Sequence, residues 1–481
     1  MLMKSPPADA GGVVGRLRTW PAHPLAVPFL LAIVMLAIGA QAACLYDHPN
    51  PANDEPAHIG YVAALARGDL PTIDTSSGYD GSDEAHSHVW TANHPPAFHA
   101  LLVPIWWLSS GDAGAATIAM RLVNTAGFAG WLFLVGLIAR ELVPRRRWVP
   151  AVATAVALTP TLAIRSGFVM NDGLGSAAAL LAMLMTIRMV RRQVTPMRVA
   201  VAAIAGTLAA GTRAQGVLLV ALCCLVVLIV GVRQHGWVRG SAAAAVVGGV
   251  PAVATGWFYL RNYRLYGDFT GQDALLDKFA RSPIDHVFDV FALRTVIESL
   301  LSTPIPLLAL TVLTPIAAIA AARRGDLRPD LAWLLLGTNG AITAANIAHF
   351  ISAGGGFHDR YFMQVMPLLA TATALGMLEV ARWIPRSSAG DLREGLVATC
   401  WTAVLLGWLA GAVAVLEWFD LVAHPNRIPV AGATPIVLAA AAGLTALAAV
   451  AVMVRGDRRP SEGQLSAEPA LYSDQSMFQS P

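Results

Sequence analysis

The sequence predicts an all-α polytopic membrane protein with about 12 transmembrane helices and a large extracytoplasmic first loop that contains interfacial helices. Hydrophobic residues make up 56% of the 481 positions and charged residues only 13%, whereas soluble domains carry about 25% charged residues. The apolar stretches are also long enough to cross a hydrocarbon core of about 30 Å, which takes about 20 residues each.

The distribution of basic residues predicts the topology. Lysines and arginines gather in clusters between the apolar stretches, and placing every cluster in the cytoplasm satisfies the positive-inside rule. The clusters lie at 4–18, 145–147, 188–198, 233–239, 323–328, 382–393 and 455–459. The predicted helices between them are 24–45, 116–140, 148–166, 173–190, 198–213, 214–232, 242–260, 301–322, 331–351, 361–381, 395–416 and 434–454. Both termini are then cytoplasmic, and the protein is multi-pass in the cell (cytoplasmic) membrane.

These spans divide the chain into three parts. We expect 1–23 to be a cytoplasmic N-terminal segment and 24–455 to be the transmembrane domain, with its first outer loop at 46–115. The segment 456–481 is polar and cannot bury a core, so we expect a disordered cytoplasmic tail.

Two segments allow a second interpretation. Ala40-Gln41-Ala42 resembles a signal-peptidase site, but the apolar run before it is longer than a usual signal core, so we favour an uncleaved first helix.

The apolar segment 96–109 could be counted as a short span, which would move 145–147 to the outside. It is shorter than a typical crossing, and we therefore place it flat at the outer surface.

The first outer loop is rich in carboxylates. It opens with Asp54-Glu55-Pro56-Ala57-His58 and ends at His94-Pro95-Pro96, and Arg67 is its only lysine or arginine. The acids between the two motifs are Asp69, Asp74, Asp80, Asp83 and Glu84. An acidic loop fixed between membrane segments indicates an enzyme that handles a substrate at the membrane surface.

Asp54 and Glu55 are the candidate catalytic residues. A carboxylate at a helix mouth suits a general base, because a low dielectric raises the pKa of a carboxyl group. Such a base would deprotonate an acceptor hydroxyl that attacks a sugar C1. The alternative is a solvated acidic helix cap.

Glu84, His86, His88 and His94 are candidate ligands of a divalent metal (Mg, Mn or Zn), and Asp54 or His58 could complete the set. His94 is also a candidate substrate-binding residue. The spacing of these residues is weak evidence by itself. The charge of the loop gives a second reason, because so acidic a loop would repel a phosphate-bearing substrate unless a cation or arginines intervene.

Arginines on the predicted outer side are candidate phosphate-binding residues. Arg261 and Arg264 end one span, Arg360 precedes another, and Arg213 and Arg165 lie near outer helix ends. Basic residues that depart from the positive-inside trend can pair with phosphate or with the loop carboxylates, or they can be snorkelling or structural pairs. Arg360 follows three glycines and is the preferred phosphate contact.

Asp172 lies in Asn171-Asp172-Gly173 at the outer end of a predicted span. The tripeptide is an ordinary turn sequence. An aspartate at the membrane edge could instead hold sugar hydroxyls or a cation, and both interpretations stay open. No basic patch with interleaved aromatic residues occurs, so nucleic acid is not an expected partner.

Taken together, these motifs resemble the GT-C superfamily of polytopic membrane glycosyltransferases, which includes protein O-mannosyltransferases and aminoarabinose transferases. The similarity extends from the first span to about Arg382. The motifs that carry it, in order, are Asp54-Glu55-Pro56-Ala57-His58, Gly68-Asp69-Leu70-Pro71, His94-Pro95-Pro96, Leu260-Arg261-Asn262 with Tyr266-Gly267-Asp268, and Arg360-Tyr361 with Pro367.

The resemblance implies a polyprenyl-phosphate sugar donor, an outward-facing active site in the cell envelope and inversion at the anomeric carbon. The first-loop acid of the family would be Asp54, with Glu55 as the second candidate, and Glu84 would correspond to the second-loop acid of some members. The phosphate-binding arginine would be Arg360, beside Tyr361. The acceptor, a glycan, lipid or protein, stays open.

Two other functions remain as alternatives. A lipid-linked-saccharide transporter or flippase would also have about 12 spans, but transporters usually carry midplane charges and repeat symmetry. An O-antigen-type polymerase or ligase would be expected to carry its large outer loop late in the chain, whereas this one follows the first helix.

Overall fold

The computed structural model describes residues 23–45, 49, 54–78, 87–109, 112–284, 320, 330–355, 358–379, 390–423 and 434–457. The regular secondary structure of the described residues is helical, with an isolated β-bridge between Ser76 and His88. Its α-helices are α1 (Ala26–Leu45), α2 (Glu55–Ala66), α3 (Ala97–Leu108), α4 (Ala113–Leu142), α5 (Val149–Ala157), α6 (Pro160–Arg165), α7 (Asp172–Arg191), α8 (Pro196–Ala210), α9 (Ala214–Tyr266), α10 (Gln272–Lys278), α11 (Leu331–Ser352), α12 (Met366–Glu379), α13 (Gly390–Ala423) and α14 (Thr434–Asp457). Short 3₁₀ helices lie at Trp90–Asn93 and Asp359–Phe362.

The predicted fold class, an all-α polytopic membrane protein, is confirmed. Within the described ranges, seven helices are long and apolar enough to cross a membrane, namely α1, α4, α7, α9, α11, α13 and α14. Helix α9 has 53 residues and is interrupted at Gly236, where φ is 79°. The two halves fold back on each other, since Gly231 packs against Gly240 and Sγ of Cys224 donates to the carbonyl of Ala244 at 3.3 Å. They correspond to the two predicted spans, 214–232 and 242–260. The predicted span 301–322 lies almost wholly outside the described residues.

Two predicted spans are not continuous helices. The span 148–166 is divided into α5 and α6, because Pro160 has no N–H for the helical ladder and Thr159 caps the second helix instead. The span 361–381 begins as the 3₁₀ helix Asp359–Phe362 and continues as α12. Both interruptions bring polar residues to the same end of the bundle, since Arg165 ends α6 and Arg360 lies in the 3₁₀ helix.

Helix α1 lies in the core. It packs against α4 and α14, and its Leu31 and Met35 are fully buried beside Trp131 and Leu132 of α4. Burial of side chains of this size supplies about 1.5–3 kcal/mol each. Loss of α1 would remove a central part of this core, which favours the uncleaved first helix.

Helix α3 covers the apolar segment 96–109. It has 12 residues and is about 18 Å long, which is too short to cross the hydrocarbon core. Phe98 and Leu102 are buried, whereas Trp107 and Leu108 are exposed. An interfacial position for α3 stays a prediction, and the exposed tryptophan is compatible with it.

Among the described residues, the basic residues near 146 and 188–191 and the candidate site residues lie at opposite ends of the bundle. Arg188 pairs with Glu141 at 2.8 Å, Arg191 with Asp330 at 3.1 Å and Arg146 with Glu394 at 2.9 Å. Asp172 begins α7, and the 20 residues of that helix separate it by about 30 Å from the end at which these pairs lie. Charge sidedness predicted this separation. The assignment of the basic end to the cytoplasm stays a prediction.

Candidate functional site

Four charged side chains from separate elements form a continuous chain, here named the charge tetrad: Asp54, Arg360, Asp172 and Arg213. Oδ2 of Asp54 accepts from Nη2 of Arg360 at 3.1 Å. Nη1 of Arg360 lies 3.7 Å from Oδ2 of Asp172, and Oδ1 of Asp172 accepts from Nη1 of Arg213. The N-terminal ends of α2, α7 and α9 and the 3₁₀ helix at Asp359–Phe362 thus contribute one residue each.

The two arginines stay charged at neutral pH. Burial by itself would lower the pKa of Arg360, but Asp54 and Tyr361 act against it, and the net pKa is raised. Burial, with a smaller contribution from Arg360, lowers the pKa of Arg213 to about 10. Nε of Arg360 is buried and has no hydrogen-bond partner among the described residues. The tetrad therefore offers an unused N–H donor on a permanent cation.

Asp54 is the more accessible of the two adjacent carboxylates. Its side chain is 24% exposed. Its backbone lies in the left-handed region, with φ of 62° and ψ of 11°, at the position that precedes α2. Aspartate is among the few residues other than glycine that adopt this conformation with some frequency.

Glu55, the next residue, is fully buried. Its Oε1 accepts from Nε of Arg121 at 2.8 Å and from the backbone N–H of Val169 at 2.9 Å, and its Oε2 accepts from Nη2 of Arg121 at 2.7 Å. Both oxygens are thus engaged, in the bidentate geometry that makes arginine–carboxylate pairs strong. Adjacent acids therefore occupy different environments.

Arg121 was not among the residues predicted from the sequence. It lies within the predicted span 116–140, where hydropathy alone gives it no role. A lone arginine in an apolar span is nevertheless a signal, because such a charge requires a buried partner.

The 3₁₀ helix that carries Arg360 is attached to the bundle on both sides. Oδ1 of Asp359 accepts from Nη1 of Arg165 at 2.7 Å, and Oδ2 of Asp359 accepts from the hydroxyl of Thr161. Nε1 of Trp131 donates to the carbonyl of Met363 at 2.9 Å. Arg165, a candidate phosphate-binding residue, is therefore paired with an acid. The ring of Tyr361 lies 5.8 Å from the Arg360 guanidinium.

The histidines of the loop form a neutral cluster beneath the tetrad. Nδ1 of His58 lies 2.9 Å from Nε2 of His99, so one ring donates to the other. The ring of Tyr61 stacks on His99 at 4.0 Å, and its hydroxyl donates to the carbonyl of His94 at 3.1 Å. Burial lowers the pKa of His99 to about 3 and the pKa of His58 and His94 well below the usual value.

The predicted metal ligands are only partly described. Glu84 and His86 lie outside the described residues. Nδ1 of His58 is occupied by His99, and Nδ1 of His88 lies 3.1 Å from the hydroxyl of Ser87. In the part of the chain that the structure describes, no three His, Cys, Asp or Glu residues form a group that could hold a metal ion.

Arg261 holds the first loop. Its Nη2 donates to the carbonyls of Pro71 at 2.6 Å and Leu70 at 3.4 Å. The hydroxyl of Tyr266 accepts from the N–H of Ile73 at 3.1 Å. The motifs at 68–71 and 260–268 therefore contact each other. Arg264 is exposed on the same helix.

An apolar cavity of about 140 Å³ adjoins this end of the bundle. It lies between α8, α9 and the start of α3, and its walls include Pro95, Leu208, Gly211 and Phe258. Pro95 follows His94, and Gly211 precedes Arg213 of the tetrad by two positions. The cavity and the charged site therefore share two short segments of chain.

Searches against known proteins gave matches among solved structures. ArnT from Cupriavidus metallidurans bound to undecaprenyl phosphate is 16% identical, with a TM-score of 0.46, over 93% of this chain and 78% of its own. AglB from Archaeoglobus fulgidus, an oligosaccharyltransferase in complex with an inhibitory peptide and a dolichol-phosphate, is 12% identical, with a TM-score of 0.45, over 79% of this chain and 55% of its own. The arabinosyltransferase EmbB from Mycobacterium smegmatis is 14% identical, with a TM-score of 0.42, over 88% and 41%.

ArnT, AglB and EmbB are GT-C glycosyltransferases, the superfamily that the motifs of this sequence resemble. Another Archaeoglobus fulgidus oligosaccharyltransferase structure is a complex with Zn and sulfate. No family model and no curated protein matches the chain.

Proposed function

We propose that the protein transfers a sugar from a polyprenyl-phosphate-linked donor to an acceptor hydroxyl at the outer face of the membrane, with inversion at the anomeric carbon. The observation that carries the proposal is the pairing of Asp54 with Arg360 at 3.1 Å. It brings a partly exposed carboxylate and a buried guanidinium together. Inverting displacement at a sugar phosphate requires both a base and a cation at the leaving group.

The reaction balances with these two groups. The acceptor oxygen attacks C1 of the sugar while Asp54 takes the hydroxyl proton. The bond between C1 and the phosphate oxygen breaks, and its electron pair leaves with polyprenyl phosphate. Arg360 and Arg213 stabilise the negative charge that develops on that phosphate. A single displacement inverts the configuration and needs no covalent intermediate.

The base must be Asp54 rather than Glu55 in this scheme. Glu55 already accepts three hydrogen bonds, two of them from Arg121, and is fully buried. A carboxylate that is buried and has both oxygens engaged in this way cannot contact the hydroxyl of an acceptor. We assign Glu55 to the support of α2 and of the segment at Val169.

The donor phosphate would replace Asp54 on Arg360. Two arginines and two aspartates make the tetrad neutral, and the contact with Arg360 occupies Oδ2 of Asp54. A phosphate that binds Arg360 through Nη2 and the unused Nε would release Asp54 toward the acceptor. Donor binding would in this way activate the base.

The apolar cavity between α8 and α9 is the proposed site for the start of the lipid tail. It opens beside Gly211 and Pro95, next to Arg213 and His94. A polyprenyl chain requires an apolar path that ends at a phosphate-binding cation, and this arrangement offers one. Further groups of the chain could lie against the exposed apolar residues of α9.

A divalent metal bound through Glu84 or His86 stays a prediction, because those residues lie outside the described part of the chain. The described site supplies positive charge through Arg360 and Arg213. These arginines would counter the repulsion between the acidic loop and a phosphate-bearing substrate.

The test is sugar transfer from radiolabelled polyprenyl-phosphate sugars in membranes, with wild type compared with Asp54→Asn. We expect transfer by the wild type and its loss in the variant, with normal insertion of the protein. Asp69→Asn is the matched control. Asp69 is an acid of the same loop, its side chain is 72% exposed, and its ion pair with Arg67 is long, at 3.8 Å. Near-normal transfer by Asp54→Asn would refute the role of Asp54. Movement of labelled lipid between leaflets without transfer would favour a flippase.

A further inference from the structure

We propose that Asp359, held by Arg165 and Thr161, is a positioning residue for Arg360. The inference rests on the proposed function, since it concerns the arginine assigned to the donor phosphate. Asp359 does not face the tetrad through its carboxylate. It acts by fixing the 3₁₀ helix from which Arg360 extends.

The geometry assigns both oxygens of Asp359 to one neighbouring element. Oδ1 accepts from Arg165 at 2.7 Å and Oδ2 accepts from Thr161. Both partners lie on α6, the short helix that follows the break at Thr159. The broken span thus presents a cation and a hydroxyl to one carboxylate.

This attachment is needed because the segment has little support of its own. A 3₁₀ helix of four residues has few and poorly aligned hydrogen bonds. Gly354 upstream has a φ of 90° and Gly355 follows it, so the chain enters the turn through residues that permit many conformations. The pair with α6 holds the segment together with the bond from Trp131 to Met363 and the contact of the Tyr361 ring with Phe350 of α11 at 5.8 Å.

The proposed phosphate-binding role of Arg360 requires that its guanidinium be held in a fixed position. Its Nη2 donates to Asp54, its Nη1 lies 3.7 Å from Asp172, and its Nε has no hydrogen-bond partner among the described residues. A displacement of about 1 Å can reduce the rate at a reacting centre by up to about 100-fold. A purely structural ion pair would instead affect the stability of the protein without a selective effect at Arg360.

The experiment is a double-mutant cycle that measures the affinity of the purified protein for undecaprenyl phosphate in detergent. The variants are Asp359→Asn, Arg360→Lys and the two combined. We expect Asp359→Asn to weaken binding by about tenfold, and the double variant to bind within about twofold of Arg360→Lys alone, because Asp359 acts through Arg360. Arg165→Lys, which keeps the charge on α6, should retain most of the affinity.

The matched control is Glu394→Gln, which removes the acid of the Arg146–Glu394 pair at the opposite end of the bundle. It should lower thermal stability, as we also expect of Asp359→Asn, and leave the affinity unchanged. Additive effects in the cycle, wild-type affinity of Asp359→Asn, or equal loss of affinity in the control would overturn the positioning role. Wild-type affinity of Arg360→Lys and Arg360→Ala would instead overturn the proposed phosphate site itself.

Discussion

Asp54 and Arg360 are 306 positions apart in the chain and their side chains lie 3.1 Å from each other. The contact joins the beginning of the first loop to the turn before α12. It also links the two residues that the proposed reaction uses as base and phosphate ligand. In the donor-free protein each neutralises the other.

Asp54→Asn should bind undecaprenyl phosphate more tightly than the wild type, although it transfers no sugar. The neutral amide oxygen competes less strongly than a carboxylate for Nη2 of Arg360, and the tetrad gains one net positive charge. We expect affinity to rise about threefold to tenfold, as for one partly exposed charge-assisted contact. Titration of the two purified proteins in detergent with undecaprenyl phosphate measures this affinity. Equal or weaker binding by the variant would contradict the exchange of Asp54 for phosphate.

Glu55→Gln should destabilise the protein strongly. It breaks the fully buried ion pair between Glu55 and Arg121, and breaking such a pair costs about 3–5 kcal/mol. Thermal unfolding in detergent should show a larger loss for Glu55→Gln than for Asp54→Asn, whose partner Arg360 keeps Asp172 nearby. A Glu55→Gln protein with wild-type stability and no transfer would indicate that Glu55 is the base.

The backbone at Asp54 predicts a difference between two small substitutions. Its φ of 62° is accessible to glycine without strain and costs alanine about 1 kcal/mol. Asp54→Ala should therefore be less stable than Asp54→Gly by about that amount, while both lack transfer. Equal stability of the Asp54→Ala and Asp54→Gly proteins would contradict a left-handed conformation at position 54.

The sequence predicted the spans and the candidate residues because both depend on local signals. Hydropathy over about 20 residues places α1, α4, α7 and α9, and charge sidedness places Asp54, Asp172 and Arg360 at one end. The break at Thr159 was not predicted. In an apolar run, hydropathy does not distinguish a proline at the first position of a helix from a proline inside a helix.

The pairings could not be predicted. Glu55 and Asp54 are chemically alike and adjacent, and only packing of α2 against α4 brings Arg121 to one of them. The contact of Arg261 with the carbonyls of Leu70 and Pro71 likewise involves backbone groups, which every residue possesses. Such contacts depend on how distant elements pack, and no local pattern specifies them.

The histidine cluster predicts that acid destabilises the protein. Burial holds the pKa of His99 at about 3 and lowers the pKa of His58, whereas in the unfolded chain both are near 6.5. Between these values the unfolded state binds more protons than the folded state, so stability falls as the pH decreases from about 6.5 toward 3. Thermal unfolding at pH 7 and pH 5 measures the loss.

His99→Gln should reduce this dependence, because glutamine keeps hydrogen-bonding groups and does not titrate. The loss between pH 7 and pH 5 should be smaller than in the wild type, and not zero, since burial also lowers the pKa of His94 and His358. An unchanged pH dependence would show that His99 does not contribute to it.

Cysteine labelling tests which end of the bundle faces outward. The four native cysteines would first be replaced, because Cys400 is exposed. Ser76 lies in the first loop and Arg145 between α4 and α5, and both are exposed, whereas the adjacent Arg146 is buried in its pair with Glu394. Ser76→Cys should react with a membrane-impermeant maleimide in intact cells, and Arg145→Cys only after the membrane is opened. The reverse pattern would place the charge tetrad in the cytoplasm, where a donor presented at the outer face could not reach it.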